Sequence, residues 1–144
     1  MLDFGYQLPD CIWDAPEVER SRDNTSDFAS HGERRFVRGL LPIPLENGTE
    51  FHYGVWLEVD QATFLDVRNC WNDEERYLKL RFKARVANAA PPWRTNLLGL
   101  GVEAGVREVK SRPFVMAAEA AWLQKLMADG WTPDDYREAV ASFT

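Results

Sequence analysis

The stretch RRFVRGLLPIPLENGTEFHYGVWLEV, residues 34–59, decides how this chain folds. From Arg34 the pattern alternates: Val37, Gly39, Leu41, Ile43 and Leu45 share one parity and Arg38 takes the other, the period of a half-buried strand. Pro42 and Pro44 also share a parity. Amides two residues apart in an extended chain point to the same edge, so both missing N–H groups lie along one side and the opposite edge stays free to pair. Asn47 and Gly48 are residues that tolerate the positive φ angles of a hairpin turn. After them Phe51, Tyr53, Val55, Leu57 and Val59 alternate with His52, Gly54, Trp56 and Glu58, which predicts a second strand with one apolar face.

Working outward, Asp60 is placed to cap a helix whose apolar stripe runs through Phe64, Val67 and Trp71 and which ends at NDEE, residues 72–75. Residues 77–87 alternate again, with Leu78, Leu80, Phe82, Ala84 and Val86 inward and Lys79, Arg81, Lys83 and Arg85 outward. NAAPPWRTN breaks that strand, and VREVKSRPFV, residues 106–115, reads as a further strand ending near Arg112-Pro113. Near the C-terminus Met116, Ala120, Leu123 and Met127 mark a helix, closed by a left-handed Gly130 with Trp131 folding back on Leu126 in a Schellman arrangement. Thr132 then caps a second helix with Pro133 at its first position and Tyr136, Ala139, Val140 and Phe143 on its apolar face. Residues 1–33 read as irregular coil wrapping over the sheet, with a short helix near 16–22. The expected architecture is therefore α+β: a mainly antiparallel sheet of about four strands packed by helices, with a C-terminal helical hairpin. Residues 1–144 form one domain in this reading: a wrapping segment 1–33, a sheet with one inserted helix over 34–115, and the hairpin 116–144.

Composition bounds the partners. The chain has 144 residues, 45% of them hydrophobic, with six Trp and eight Phe, enough bulky apolar surface for one core. A net charge of −6 disfavours nucleic acid phosphates and anionic lipid and favours a basic partner. No run approaches the roughly 20 apolar residues of a membrane-spanning helix, and MLDFGYQLPDC lacks the basic start and apolar stretch of a secretion signal, so a cytoplasmic location is expected. Two cysteines, Cys11 and Cys70, make at most one bridge and fit a reducing compartment.

The order of the pieces carries a resemblance. LPDCIW near the start, then ERRFVRGLLPIPL, YGVWLEVDQATF, SRPFV and GWTPDDYREA resemble the bacterial domain-of-unknown-function family 2199, from about Phe4 onward and most sharply at GVW and the helix start after it. The resemblance implies an α+β bacterial protein and names no catalyst. Members of that family often begin with a Cys-x-x-Cys pair like half of a metal-binding ribbon; this chain lacks that segment.

Chemistry-bearing residues are sparse. Cys11, His31, His52 and Cys70 each lie about twenty residues from the next, whereas structural zinc ligands come in close pairs, so no metal site and no cofactor are expected. GLGVEAG lacks the lysine of a phosphate-binding loop, no G-x-S-x-G elbow occurs, and the Asp134-Asp135 pair suits the first turn of a helix better than acid–base work. The leading reading is a non-catalytic protein that binds another protein, an immunity- or antitoxin-like inhibitor of a basic toxin. Its contacts are Asp73, Glu74 and Glu75, with Trp93 as an aromatic anchor in the PPWR loop. The competing reading is a small enzyme or anionic-ligand binder on the polar sheet face, using Arg38, His52, Trp56 and Arg81. His52 and Trp56 point away from the face of Tyr53 and Leu57, so either a second layer covers them or they line a cleft, and a cover from the N-terminal segment is the expectation.

Overall fold

The computed structural model describes residues 2–5, 27–89 and 96–141. The hairpin forms as its alternation requires. Strand β3 (Arg34–Pro44) and strand β4 (Glu50–Val59) pair antiparallel from Arg35↔Val59 to Pro44↔Glu50. The connection is closed by Leu45 N donating to Thr49 O at 2.8 Å, with Gly48 at φ 85°. Strand β1 (Leu2–Gly5) adds parallel to the first half of β4, and strand β2 (Phe28–His31) adds antiparallel to the first half of β3. These strands lie where coil was expected in residues 1–33; the helix near 16–22 falls outside the described residues.

The sheet is not an open one of about four strands. Strands β5 (Arg81–Val86), β6 (Gly101–Gly105) and β7 (Phe114–Ala118) continue antiparallel from β4, and β7 returns to pair with β3, so β3-β4-β5-β6-β7 close into a five-stranded barrel. Closure rests on β3 having two usable edges. Its even-numbered amides face away from β4: Arg38 N donates to Asp27 O at 3.0 Å and Leu40 N to Pro113 O at 2.9 Å, beside the parallel pair Leu40↔Phe114. Pro42 and Pro44 carry the same parity and have no N–H to give, so the seam stops at Leu40 while the ladder to β4 runs on to Pro44. Hydrophobic parity identifies one buried face; it does not say that the last strand will come back parallel to the first.

That buried face fills the barrel. Val37, Leu41 and Ile43 meet Phe51, Tyr53, Val55, Leu57 and Val59, with Phe82, Ala84 and Val86 from β5, Val102 and Ala104 from β6, and Val115 from β7. Four helices accompany the strands among the described residues: α1 (Gln61–Cys70), α2 (Glu74–Leu78), α3 (Ala121–Asp129) and α4 (Pro133–Ala141). Phe64 and Val67 of α1, Leu123 of α3, Ala139 of α4 and Trp131 join the same cluster. Asp60 caps α1 as expected, accepting from Thr63 N at 2.7 Å. No helix among the described residues is long and apolar enough to cross a membrane.

Several boundaries move for physical reasons. The strand expected over 77–87 begins only at Arg81, because Asp73 accepts from Arg76 N at 3.2 Å and starts α2, leaving Leu78 exposed and Lys79 as its C-cap. GVEAG, which lacks the lysine of a phosphate-binding loop, is β6. A Cβ at Gly101 would sit 2.4 Å from Glu119 Oε2, and one at Gly105 would sit 2.5 Å from Arg81 Nη1, so the long side chains of Glu119, just after β7, and Arg81, on β5, occupy the space that the glycines leave. The strand expected over 106–115 is instead β7, starting at Phe114, and Met116 belongs to it rather than to α3. Gly130 does end α3 with φ 76°, but Trp131 N donates to Pro44 O at 2.9 Å, so the chain is tied to β3 in place of a Schellman turn. Thr132 caps α4 reciprocally with Asp135: Asp135 N donates to Thr132 Oγ1 and Thr132 N to Asp135 Oδ2, both at 3.1 Å. Val140 is exposed, and Phe143 lies outside the described residues.

The contact at Gly130 generates a prediction. A Cβ there would lie 2.0 Å from Pro44 O, a backbone atom, whereas one at Gly32 meets nothing within 4 Å although its φ is 61°. Gly32→Ala is expected to cost about 1 kcal/mol, the backbone strain alone. Gly130→Ala is expected to cost clearly more, because α3 or β3 must shift as well, and urea denaturation of the two variants checks the order.

Candidate functional site

The outer faces of β3 and β4 carry the polar residues of the hairpin, and local pairing settles most of them. Arg34 makes a two-pronged ion pair with Glu58, Nε to Oε2 at 2.8 Å and Nη2 to Oε1 at 2.7 Å. Those bonds hold the Glu58 carboxyl below its ordinary value, with a further contribution from the charge of Arg85 on the neighbouring strand. Farther along, Glu50 accepts from Arg107 at 2.7 and 3.3 Å and contacts His52 Nε2 at 3.1 Å. The Arg107 guanidinium lies 4.2 Å from the centre of the Phe114 ring, and His52 meets the same ring edge-on at 5.0 Å. The Arg107 hydrogen bonds are the main reason the Glu50 carboxyl titrates low, followed by the His52 contact among the lowering causes.

These contacts locate the residues of the anionic-ligand reading. His52 is 4% exposed and Trp56 fully buried. Trp56 packs in a second cluster with Ala29, Phe36 and Ala87, its backbone N–H donating to Asn88 Oδ1 at 2.8 Å, and Ala29 on β2 belongs to the N-terminal segment expected to cover it. Arg38 is half-buried with its guanidinium 6.0 Å from the Trp56 ring. Arg81 is exposed on β5, against Gly105 on the outer surface of β6. Arg38 and Trp56 are thus together, His52 sits with Glu50 and Arg107, and Arg81 stands apart. Asn88 and Arg107 were not singled out from the sequence; Glu50 and His52 share a parity, which places them on one face, but nothing local points to Arg107 as the third member.

The expected cation row shortens to Arg81, Lys83 and Arg85, all exposed, while Lys79 pairs with Glu75 at 3.6 Å on the helix before it. Lys83 lies opposite Glu103 in register, and Lys83, Arg85, Glu103 and Glu119 border a groove of ≈ 550 Å³ over Gly101.

The residues of the protein-binding reading sit at the start of α2. Asp73, Glu74 and Glu75 are all exposed, and Asp73 serves as the N-cap. Tyr77, one turn on, is buried and donates its hydroxyl to Ser111 O in the β6–β7 connection. Beside it Arg112 pairs with Asp27 at 2.9 Å. A cavity of ≈ 560 Å³ opens here between the α1–α2 turn and the β6–β7 connection, lined by Leu40, Trp71, Glu74, Tyr77, Val109 and Lys110 among others. Trp93 lies outside the described residues. Among the described residues no group of three His, Cys, Asp or Glu is arranged to hold a metal ion, and Cys70 is a buried free thiol.

Burial pushes the Tyr77 hydroxyl up to about 12, helped by the Asp27 charge and opposed by Arg112. A raised phenol favours the neutral folded form, so this stabilisation is complete below the ordinary value of 10.0 and is lost as pH rises through about 12. Tyr77→Phe should lose one hydrogen bond, about 1 kcal/mol at neutral pH, and should show a shallower fall in stability between those two values. Glu50 and Glu58 are depressed, so their contribution is present above 4.5 and fades as pH falls below it; Glu50→Gln should flatten the acid limb. Thermal melts across the pH range test both slopes.

Comparison with known families places the chain. It belongs to the family described as "Uncharacterized protein conserved in bacteria (DUF2199)", whose model matches residues 1–128. No curated protein and no solved structure matches it.

Proposed function

We propose that this member of DUF2199 acts by binding another protein, as an immunity- or antitoxin-like inhibitor of a basic toxin, through Asp73, Glu74 and Glu75 with Trp93 as an aromatic anchor. The observation that carries this reading is the setting of the three carboxylates. All three are exposed at the start of a helix that Asp73 caps and whose next turn is fixed by buried Tyr77 and its bond to Ser111 O. Charged groups on a rigid support lose little freedom when they meet a partner, so less of the interaction is spent on ordering side chains. The net charge of −6 adds long-range attraction for a basic surface and raises the association rate. Lys83 and Arg85 of β5 border the groove over Gly101, and the cation paired at this corner is Lys79, with Glu75 at 3.6 Å.

The test begins with affinity capture of the tagged protein from its native lysate. Wild type should retain one stoichiometric basic partner that Glu74→Lys/Glu75→Lys does not; Asp73 is left alone because its side chain caps the helix. With the purified pair, reversal of these two charges should slow association at least tenfold at low salt and flatten its salt dependence. Binding that is indifferent to both substitutions and to salt would dismiss this surface.

A further inference from the structure

The cavity between the α1–α2 turn and the β6–β7 connection has a chemistry that an acidic docking corner does not use. Its volume of ≈ 560 Å³ lies within the range of small-molecule sites, and its walls supply Leu40, Trp71, Tyr77 and Val109. Four charged residues border it: Asp27, Glu74, Lys110 and Arg112. Asp27 and Arg112 bind each other at 2.9 Å, which leaves Glu74 from α2 and Lys110 from the β6–β7 connection. Neither of these makes an ion pair among the described residues. The two opposite charges therefore stand on different elements and border one cavity that also offers Leu40, Trp71, Tyr77 and Val109.

The backbone at Lys110 adds a second observation. It is the only non-glycine described residue with positive φ, at 66°, a conformation that costs an L-residue roughly 1–2 kcal/mol. The strained turn is held just after Lys110, by Tyr77 on Ser111 O and by Asp27 on Arg112, so Lys110 projects beside a fixed support. Strain retained by such bracing is commonly found at ligand sites.

We propose that this cavity binds a small zwitterion with an apolar side chain, a free amino acid or a dipeptide, its ammonium on Glu74, its carboxylate on Lys110 and its side chain against Trp71 and Val109. A cation alone would gain Glu74 but face Lys110, and an anion alone would meet the reverse. A molecule carrying both charges satisfies both walls. This proposal needs no protein partner; it shares Glu74 with the protein-binding reading, and Lys110→Met, which lies outside that surface, tells the two apart.

The experiment is calorimetric titration of the whole protein with the free apolar and aromatic amino acids and their dipeptides, with the Trp71 indole resonance followed by NMR. At least one should bind with millimolar or better affinity and shift Trp71. Its N-acetyl and its carboxamide analogues should each bind at least tenfold more weakly. Glu74→Gln should remove the penalty for acetylation, and Lys110→Met the penalty for the carboxamide, a cross-pattern that a merely destabilised fold would not produce. No heat and no Trp71 shift with any of these compounds would overturn the proposal. So would binding that is unchanged in both variants.

Discussion

One short seam, the parallel pair Leu40↔Phe114 with Leu40 N donating to Pro113 O beside it, closes the barrel. Everything else in the ring is a ladder between strands that are neighbours along the chain, β3 to β4, β4 to β5, β5 to β6 and β6 to β7. Within the ring the seam is the one parallel pairing, and the parity of β3 limits its length. Upstream of Leu40 the outward edge of β3 is taken by β2, and downstream it is proline. The seam is short because there is only one place for it. Gly39 belongs to the same constraint: a Cβ there would meet Leu57 Cδ1 at 2.7 Å and Pro113 O at 3.3 Å, so the residue before the seam has to be small.

Closure also arranges the surface. Once β7 returns to β3, the β6–β7 connection is carried over Leu40 and faces the turn between α1 and α2, and the cavity with Trp71, Glu74 and Lys110 is the space left between them. On the other side of β3 the second cluster, Ala29, Phe36, Trp56 and Ala87, gives the hairpin a packed outer layer. A strand buried on both faces is an unusual burden for a hairpin of this size. Trp56 accounts for it: its ring is covered while its amide is satisfied by the Asn88 side chain.

Much of this was legible in the residues, and the exceptions have causes. The parity of 34–59, the caps at Asp60 and Thr132 and the stop at Gly130 are local signals, and each is realised locally. Two kinds of feature were hidden. β6 is built of Gly101, Val102, Glu103, Ala104 and Gly105, whose small residues weaken any strand pattern; what they accommodate, Glu119 and Arg81, comes from elsewhere in the chain. Residues 77–80 alternate like a strand but follow an aspartate able to cap, and hydrogen bonding at Asp73 outweighs the alternation. The candidate site divides in the same way. The exposure of Asp73, Glu74 and Glu75 follows from their charge, whereas the opposition of Glu74 to Lys110 depends on the seam, a contact between segments far apart in the chain. His52 illustrates the limit: its neighbour Glu50 is two residues away, and Arg107 reaches it only after the barrel has closed.

The prolines of β3 have one more effect. A strand edge that offers alternating donors and acceptors is a template on which a second molecule can extend the sheet, and such growth is the first step toward fibrils. Beyond Leu40 the outward edge of β3 has no donors at 42 and 44, and the carbonyl of Pro44 is already occupied by the amide of Trp131. The chain thus leaves the open end of its longest strand unable to recruit another copy, and the residues that limit the barrel's seam also guard the folded protein against aggregation.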